Sequence, residues 1–316
     1  MKLVVQIPCY NEEGTLKGTI DDIPEKIPGI DTIEIVVVDD GSTDLTCYTA
    51  QNIARVRSVV KFNSHKGLAR AFMAGIRESL SLGADIIVNT DGDNQYSGKD
   101  IPKLIAPILN KEADAVIGNR QVQNIKHFSF IKRLLQKAGS QVVNMLSNNE
   151  ISDVTSGFRA FSRESSLRLR IFSNYSYTLE SIIQLSSMNF KIVSVNVDTN
   201  KKLRESRLMR SIPEYVFKST LTIIRLFFVY NPLKLFMPLF VLSGIPGVLF
   251  VIRFFYFYFT ISGQTGHIQS LIVGLSLCGF SIFMLLIGSI VHLITTNRKI
   301  LEDVDYLTKK MSYEKK

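Results

Sequence analysis

The chain has 316 residues, of which 46% are hydrophobic, and it carries a formal net charge of +9 at neutral pH. This length allows one large domain with an appendage, or two modest domains. Cys9, Cys47 and Cys278 are far apart and match no zinc or CxxC pattern, so we expect reduced, buried cysteines rather than a disulfide framework. Met1 leads directly into a strand-like run, and we therefore expect no signal peptide.

The positive charge is concentrated in one part of the chain. Residues 1–200 hold 22 basic and 22 acidic residues, whereas residues 201–234 hold eight basic and two acidic residues, a net charge of +6. Long apolar stretches follow this basic segment. A basic segment before an apolar stretch predicts contact with anionic headgroups or with a phosphorylated lipid. No basic-aromatic motif accompanies the charge, so we expect no nucleic-acid partner.

The first 200 residues alternate short β-rich runs with helical patterns, which predicts an α/β fold with a mostly parallel sheet and helices on both faces. The predicted strands cover residues 3–7, 33–38, 59–62, 84–88, 113–117 and 192–197, and predicted helices include residues 12–26 and 100–109. Four of the strands end in polar loops. Open α/β sheets bind ligands at such strand ends, so these loops are the candidate site.

The loop after the fourth predicted strand contains Asp91-Gly92-Asp93. With one glycine between them, Asp91 and Asp93 can turn both carboxylates toward one point, and hard oxygen ligands of this kind suit Mg²⁺ or Mn²⁺. On spacing alone, an isolated Asp-x-Asp is more often a solvated turn than a metal site. The metal hypothesis therefore depends on the other loops.

Five loop motifs together carry a resemblance to a known family. They are IPCYNEE at residues 7–13, VDDGSTD at 38–44, DGDNQY at 91–96, GNR at 118–120 and SGFR at 156–159. Their order and spacing resemble the family 2 glycosyltransferases of GT-A fold, and more closely the polyprenyl-phosphate (dolichyl-phosphate) sugar synthases of that family. The resemblance covers about residues 1–230, and it is specific because the motifs occur in combination.

For the donor, the resemblance implies a nucleotide diphosphate sugar linked to UDP or GDP. The residues implied for the base and ribose pocket are Pro8, Tyr10, Glu12 and Asp39. The residue types agree, because Tyr10 offers a flat face to a base and an acidic residue such as Asp39 can accept hydrogen bonds from ribose hydroxyls. On sequence alone, a turn that caps the next helix is an equal alternative for Asp39.

For the metal, the resemblance implies that Asp91 and Asp93 hold Mg²⁺ or Mn²⁺ on the donor diphosphate, with Gln95 close by. Asp91 and Asp93, together with Arg120 and Arg204, are the catalytic set that the resemblance implies. Gln95 is implied only as a further metal contact.

For the acceptor, the resemblance implies a polyprenyl phosphate bound near Arg120 and Arg133, with Asp153 orienting an arginine or supporting the metal. A solvated helix face is an alternative for Arg133, and a cap is an alternative for Asp153. Arg204 lies in a basic segment that resembles the family's mobile loop over the phosphates, although Glu205 departs from the usual spelling. Glu180 stands where related enzymes place an acidic residue, but its role stays open.

The last third of the chain predicts membrane attachment. A helix that begins near Pro213 mixes apolar and basic residues and suits the membrane interface. Residues 235–259 and 268–294 are each longer than the roughly 20 residues needed to cross a bilayer. The loop between them has no Lys or Arg, so the positive-inside rule predicts that both termini and the catalytic domain are cytoplasmic. Arg253 lies late in the first span, and we expect it to reach the interface.

The predicted organisation is a nucleotide-sugar-binding domain over residues 1–200, a basic loop and interface helix over 201–232, a transmembrane hairpin over 233–296 and a cytosolic tail over 297–316. Small residues such as Gly274 leave a homo-oligomer possible. The predicted reaction is inverting, metal-dependent sugar transfer to a dolichyl or undecaprenyl phosphate. The alternatives are a processive or glycan-acceptor enzyme of the same family, and a non-catalytic membrane scaffold.

Overall fold

The computed structural model describes residues 1–121, 151–172, 177–200, 221, 228, 232–260 and 267–314. The chain divides into two compact units, one formed by Met1–Leu221 with Asp305–Lys316 and the other by Thr222–Val304. The predicted interface helix, Arg133 and Arg204 lie outside the described residues. The predicted domain boundaries therefore stay predictions.

The first unit contains a seven-stranded sheet. Its strands are β1 (Lys2–Cys9), β2 (Thr32–Asp39), β3 (Val56–Lys61), β4 (Ile86–Asn89), β5 (Ala115–Asn119), β6 (Arg159–Ser162) and β7 (Ile192–Asn196). The spatial order is β3-β2-β1-β4-β6-β5-β7. Four neighbouring pairs are parallel, and the two pairs that include β6 are antiparallel. The predicted mostly parallel α/β fold is confirmed.

Helices connect these strands in chain order. They are α1 (Leu16–Asp21), α2 (Thr46–Asn52), α3 (Leu68–Ser81), α4 (Ile101–Leu109), α5 (Arg163–Arg168) and α6 (Thr178–Ser187). The helix predicted over residues 12–26 is wrong in length. It begins only after a turn in which the backbone N–H groups of Thr15 and Leu16 donate to the carbonyl of Glu12, and it ends before Pro24, which disfavours helical geometry in the preceding residue.

Strand β6 is absent from the sequence prediction. It is only four residues long and has a polar residue at each end, so it shows no alternation from which a strand could be recognised. Its two central residues are buried between β4 and β5. By pairing with both strands, β6 carries the loop of residues 156–158 to the carboxyl end of β4.

The core of the first unit is formed by β1, β2 and β4, whose apolar side chains are almost completely buried. Helix α3 lies unusually close to this sheet. A Cβ atom added at Gly75 would be 2.1 Å from Oε1 of Gln6 in β1, so a larger residue at this position would force the Gln6 side chain to move. Burial on both faces explains the continuous apolar runs of β1 and β2, which are typical of central parallel strands.

The second unit consists mainly of two long apolar helices, α7 (Pro232–Thr260) and the part of α8 (Ile268–Glu314) that precedes Asp305. They pack through small residues: the Ser281 hydroxyl donates to the Phe240 carbonyl at 2.8 Å, and a Cβ at Gly247 would be 3.1 Å from the Gly274 carbonyl oxygen. Both helices are long and apolar enough to cross a membrane. They are the two candidate spans of the predicted hairpin. Gly274 contacts the neighbouring helix of the same chain.

Candidate active site

The two predicted metal ligands follow β4 directly. Within the described residues the Asp91 carboxylate accepts no hydrogen bond, whereas Asp93 accepts two from Gln95, at 3.2 Å from the backbone N–H and at 2.7 Å from Nε2. Burial and the adjacent negative charge of Asp93 raise the pKa of Asp91 to about 7. Asp91 therefore has no hydrogen-bond donor among the described residues, whereas Gln95 orients Asp93. A direct metal contact by Gln95 stays a prediction.

Gly157, in the SGFR motif, fixes the surroundings of Asp91. Its backbone N–H donates to the Tyr96 hydroxyl at 2.9 Å, and its carbonyl accepts from Nδ2 of Asn89 at 2.8 Å. A Cβ at this position would lie 2.8 Å from Oδ2 of Asp91 and 3.0 Å from the Tyr177 hydroxyl oxygen. The backbone of this motif thus lies so close to the carboxylate that a side chain at position 157 would displace either the carboxylate or the loop.

Arg120 and Asp153 form a bidentate ion pair beside this centre. Nε of Arg120 lies 2.7 Å from Oδ2 of Asp153, and Nη2 lies 3.0 Å from Oδ1 and 2.9 Å from the Thr155 hydroxyl. Burial alone would lower the pKa of Arg120, but Tyr96 and Asp153 raise it above its ordinary value. The positive charge of Arg120 also acts on Asp91 and opposes the rise in that carboxyl pKa. The structure therefore brings Arg120, Asp153 and the aspartate pair together.

Asp153 is completely buried, so its role in the structure is to orient Arg120. Burial raises the pKa of a carboxyl group, but the hydrogen bond from Arg120 holds the pKa of Asp153 below its ordinary value. Direct contact between Asp153 and a ligand would need the surrounding chain to open.

The predicted nucleotide pocket lies at the ends of β1 and β2. The ring of Tyr10 packs on the ring of His65 with centroids 4.1 Å apart, and Nδ1 of His65 lies 2.9 Å from Oδ2 of Asp40. The backbone N–H groups of Lys66 and Gly67 donate to the same Asp40 carboxylate at 2.7 and 2.9 Å. Asp40, which is not among the predicted site residues, therefore organises this loop.

Asp39, Glu12 and Pro8 are buried near the same strand ends. Oδ1 of Asp39 accepts from the Ser42 backbone N–H at 3.0 Å, whereas Oδ2 is buried and has no hydrogen-bond partner among the described residues. The carboxylate of Glu12 accepts from the Thr15 hydroxyl at 2.9 Å, and its charge contributes to the raised pKa of Asp91. An unsatisfied buried carboxylate oxygen is costly, which makes Oδ2 of Asp39 a candidate acceptor for a ribose hydroxyl.

Two charged residues near the site have structural partners instead. Arg159 is completely buried and donates to three backbone carbonyls and the Ser181 hydroxyl, and burial lowers its pKa to about 10. Glu180 is buried and accepts from the backbone N–H of Phe172 at 3.1 Å. Both side chains are therefore held by hydrogen bonds within the protein.

The site contains residues that the sequence prediction does not assign, namely Asn89, His65, Gly157 and Tyr177. For His65, the only indication in the sequence is the polar segment around it. Asn89 and Tyr177 cannot be recognised as site residues from their neighbours in sequence, because their hydrogen-bond partners lie 60 to 90 positions away.

The carboxylate oxygens of Asp91 and Asp93 are of the type that binds a hard divalent cation. Within the described part of the chain no group of three or more His, Cys, Asp or Glu forms a metal cluster. A cation bound by Asp91 and Asp93 would keep coordination positions for oxygens of a diphosphate and for water. Mg²⁺ and Mn²⁺ are commonly bound by one or two carboxylates plus substrate phosphates.

Comparisons with known proteins identify the family of the chain. The glycosyl transferase family 2 profile matches residues 4–169. The UDP-N-acetylglucosamine–dolichyl-phosphate N-acetylglucosaminyltransferase of Methanococcus voltae is 31% identical over 176 residues, which cover 50% of this chain and 68% of the relative. The undecaprenyl-phosphate mannosyltransferase of Micrococcus luteus is 26% identical over 222 residues, which cover 67% of this chain and 89% of the relative.

A solved structure has the same fold. Glucosyl-3-phosphoglycerate synthase from Mycobacterium tuberculosis, in complex with Mn²⁺, UDP and glucosyl-3-phosphoglycerate, matches with a TM-score of 0.53 and 23% identity, over 70% of this chain and 79% of that chain. At this identity the likeness shows the fold alone. The family profile covers more than half of the present chain, and the motifs that it spans lie together at the strand ends. The chain belongs to glycosyl transferase family 2 and is a glycosyltransferase.

Proposed function

We propose that this protein transfers a sugar from a nucleotide diphosphate sugar to a polyprenyl phosphate in the membrane, with inversion at the anomeric carbon. The observation that carries the proposal is the Asp91 carboxylate, which accepts no hydrogen bond from the described residues and lies within the field of both Asp93 and Arg120. The names of the two relatives support a lipid phosphate as acceptor.

On the donor side, Asp91 and Asp93 would hold Mg²⁺ or Mn²⁺. When bound, such an ion neutralises the diphosphate and stabilises the departing nucleotide. Gln95 keeps Asp93 oriented through two hydrogen bonds, and Gly157 leaves room for the Asp91 carboxylate, which a Cβ at that position would displace. These residues therefore fix the diphosphate before the acceptor arrives, which removes part of the entropic cost of the reaction.

Tyr10 presents a ring to the base, backed by His65, and Oδ2 of Asp39 accepts a hydrogen bond from the ribose. Pro8 and Glu12 complete this pocket. Because Asp39 and Glu12 are buried, entry of the nucleotide requires a rearrangement of the residues around them.

On the acceptor side, a lipid phosphate is already an anion at neutral pH and attacks without a general base. The obstacle is repulsion from the donor diphosphate, because two unit charges at 4 Å repel by about 4 kcal/mol at an effective dielectric constant of 20. Arg120 offsets this repulsion, and Asp153 and Thr155 hold its guanidinium in place. Arg133 and Arg204 are proposed to add positive charge on the same side. No proton transfer is assigned to Glu180.

The two candidate spans support attachment of the enzyme to a membrane. We infer that α7 and the first part of α8 form a transmembrane hairpin, with the catalytic domain and both termini in the cytoplasm. The absence of Lys and Arg between the spans and the basic residues on their outer sides support this orientation.

A donor and acceptor screen tests the proposal. Purified full-length protein in detergent with Mn²⁺ is incubated with radiolabelled UDP- and GDP-sugars and with polyprenyl phosphate or a soluble glycan. Label that partitions into chloroform only when the lipid phosphate is present supports the proposal. Transfer to the glycan alone would support a glycan-acceptor enzyme instead. A processive synthase of the same family is less favoured, because its Gln-x-x-Arg-Trp motif needs a tryptophan and the chain has none.

A further inference from the structure

A second charged feature of the first unit is a cavity on the outer side of α3. The last turns of α8 and the segment after α5 close its other sides, and its volume is about 580 Å³. Five cationic side chains line it, Lys66, Arg70, Arg77, Arg170 and Lys309, together with one carboxylate, Asp305. The cavity therefore carries a net charge of about +4, and none of the predicted donor, metal or acceptor residues lines it.

The single carboxylate does not offset this charge. Oδ2 of Asp305 contacts Arg170 and lies 2.9 Å from Nζ of Lys309, so this one carboxylate is already shared by two cations. Arg70 and Arg77 lie two helical turns apart on the exposed side of α3, and neither has a hydrogen bond or an ion pair among the described residues. Two arginines with no anionic partner thus point to the same open volume.

The electrostatic state of Lys309 indicates the same excess of positive charge. The residue lies near the end of α8, about 15 positions beyond the predicted span and within the unit that contains the sheet. Burial and the positive charges of Arg170 and Arg77 lower the pKa of Lys309 to about 8. An anion that enters the cavity would therefore stabilise the charged form of Lys309.

We propose that this cavity binds a phosphate group at a site separate from the sugar-transfer site. Guanidinium groups bind phosphate oxygens in a bidentate geometry. Two free arginines on one helix face therefore suit a phosphate ligand better than a ligand that carries carboxylates. The phosphate group belongs either to a soluble phosphate compound or to the headgroup of an acidic phospholipid. The site adjoins the loop of His65 to Gly67, because Lys66 contributes to both.

Binding of radiolabelled inorganic phosphate to the full-length protein in neutral detergent is measured by equilibrium dialysis. A parallel arm uses nanodiscs of phosphatidylcholine with or without phosphatidic acid, and native mass spectrometry counts the lipids that remain bound. Three proteins are compared with the wild type. Arg70→Ala/Arg77→Ala removes both positive charges. Arg70→Lys/Arg77→Lys keeps the charges but loses the planar guanidinium groups that bind phosphate in a bidentate geometry. Arg57→Ala is the matched control, because Arg57 is an exposed arginine of the same domain outside the cavity.

We expect saturable binding that weakens by roughly tenfold or more in Arg70→Ala/Arg77→Ala, is partly kept in Arg70→Lys/Arg77→Lys and is unchanged in Arg57→Ala. Saturation with inorganic phosphate identifies a soluble ligand, whereas selective retention of phosphatidic acid identifies a lipid headgroup. The alanine substitutions lie on an exposed helix face and favour helix, so the fold is retained, and a thermal unfolding curve checks this. Absence of saturable binding in both arms, or equal binding by Arg70→Ala/Arg77→Ala and the wild type, would overturn the proposal.

Discussion

Replacing Gly157 with alanine would place a methyl group against the Asp91 carboxylate. The new Cβ would lie 2.8 Å from Oδ2, whereas ordinary contacts begin at 3.4 Å, so either the carboxylate or the loop must move by about 0.6 Å. The backbone of Gly157 is not in the left-handed region, and alanine can therefore adopt it. The perturbation is thus a displacement of one proposed metal ligand rather than a change in the fold.

The size of that displacement sets the expected effect. Because a misplacement of about 1 Å can reduce turnover by roughly a hundredfold, we expect kcat of Gly157→Ala to fall by about tenfold or more. The affinity for Mn²⁺ in the presence of nucleoside diphosphate should fall as well. Overpacking of the loop costs about 1–3 kcal/mol of the free energy of unfolding, which leaves the protein folded at assay temperature.

The assay compares Gly157→Ala with Gly14→Ala, because a Cβ at Gly14 meets no atom within 4 Å. Steady-state transfer gives kcat, and Mn²⁺ binding is followed by electron paramagnetic resonance. Gly14→Ala should behave as the wild type in both measurements. If Gly157→Ala also kept wild-type turnover and Mn²⁺ affinity, the loop would not position Asp91 and the reasoning would be refuted.

Three further predictions concern charge. Asp91→Asn and Asp93→Asn should each abolish Mn²⁺-dependent transfer while circular dichroism stays unchanged, and full activity of either variant would contradict the metal role. The raised pKa of Asp91, about 7, means that the metal-free folded state holds a proton that the unfolded state releases above pH 4. The free energy of unfolding of the wild type should therefore fall as pH rises from about 4 to 7. Asp91→Asn should lack this fall, and urea unfolding with EDTA measures the free energy of both proteins across this pH range. An identical pH dependence of the two proteins would contradict the prediction. Arg159→Met leaves the buried carbonyls of Ser156 and Val154 without the donor that the guanidinium supplies, and it should cost at least about 2 kcal/mol of unfolding free energy. A loss below about 1 kcal/mol in urea unfolding would contradict this expectation.

The sequence could predict those parts of the fold that rest on local patterns. The apolar runs of β1, β2 and β4 are continuous because both faces of these strands are buried, and the loops that follow them contain the polar residues of the site. The aspartate pair and Arg120 were therefore recognisable from their position after strands. The family motifs increased the specificity of that prediction.

The remaining features depend on contacts between distant parts of the chain. Strand β6 exists because β4 and β5 accept it between them, and its own four residues carry no strand pattern. The buried ion pair of Arg120 and Asp153 joins positions 33 apart, and Asn89 meets Tyr177 across 88 positions. The cavity beside α3 is completed by the end of α8, a segment predicted only as a tail. Such contacts have no signal in a local sequence window.

The central claim is that Asp91 and Asp93 support metal-dependent transfer of a sugar to a lipid phosphate. The most direct measurement is the initial rate at which purified wild-type protein forms chloroform-soluble sugar from its preferred nucleotide sugar and polyprenyl phosphate, in EDTA and after addition of excess Mn²⁺. The account predicts no product in EDTA and recovery of the full rate with Mn²⁺. An equal rate in EDTA and in Mn²⁺ would contradict it.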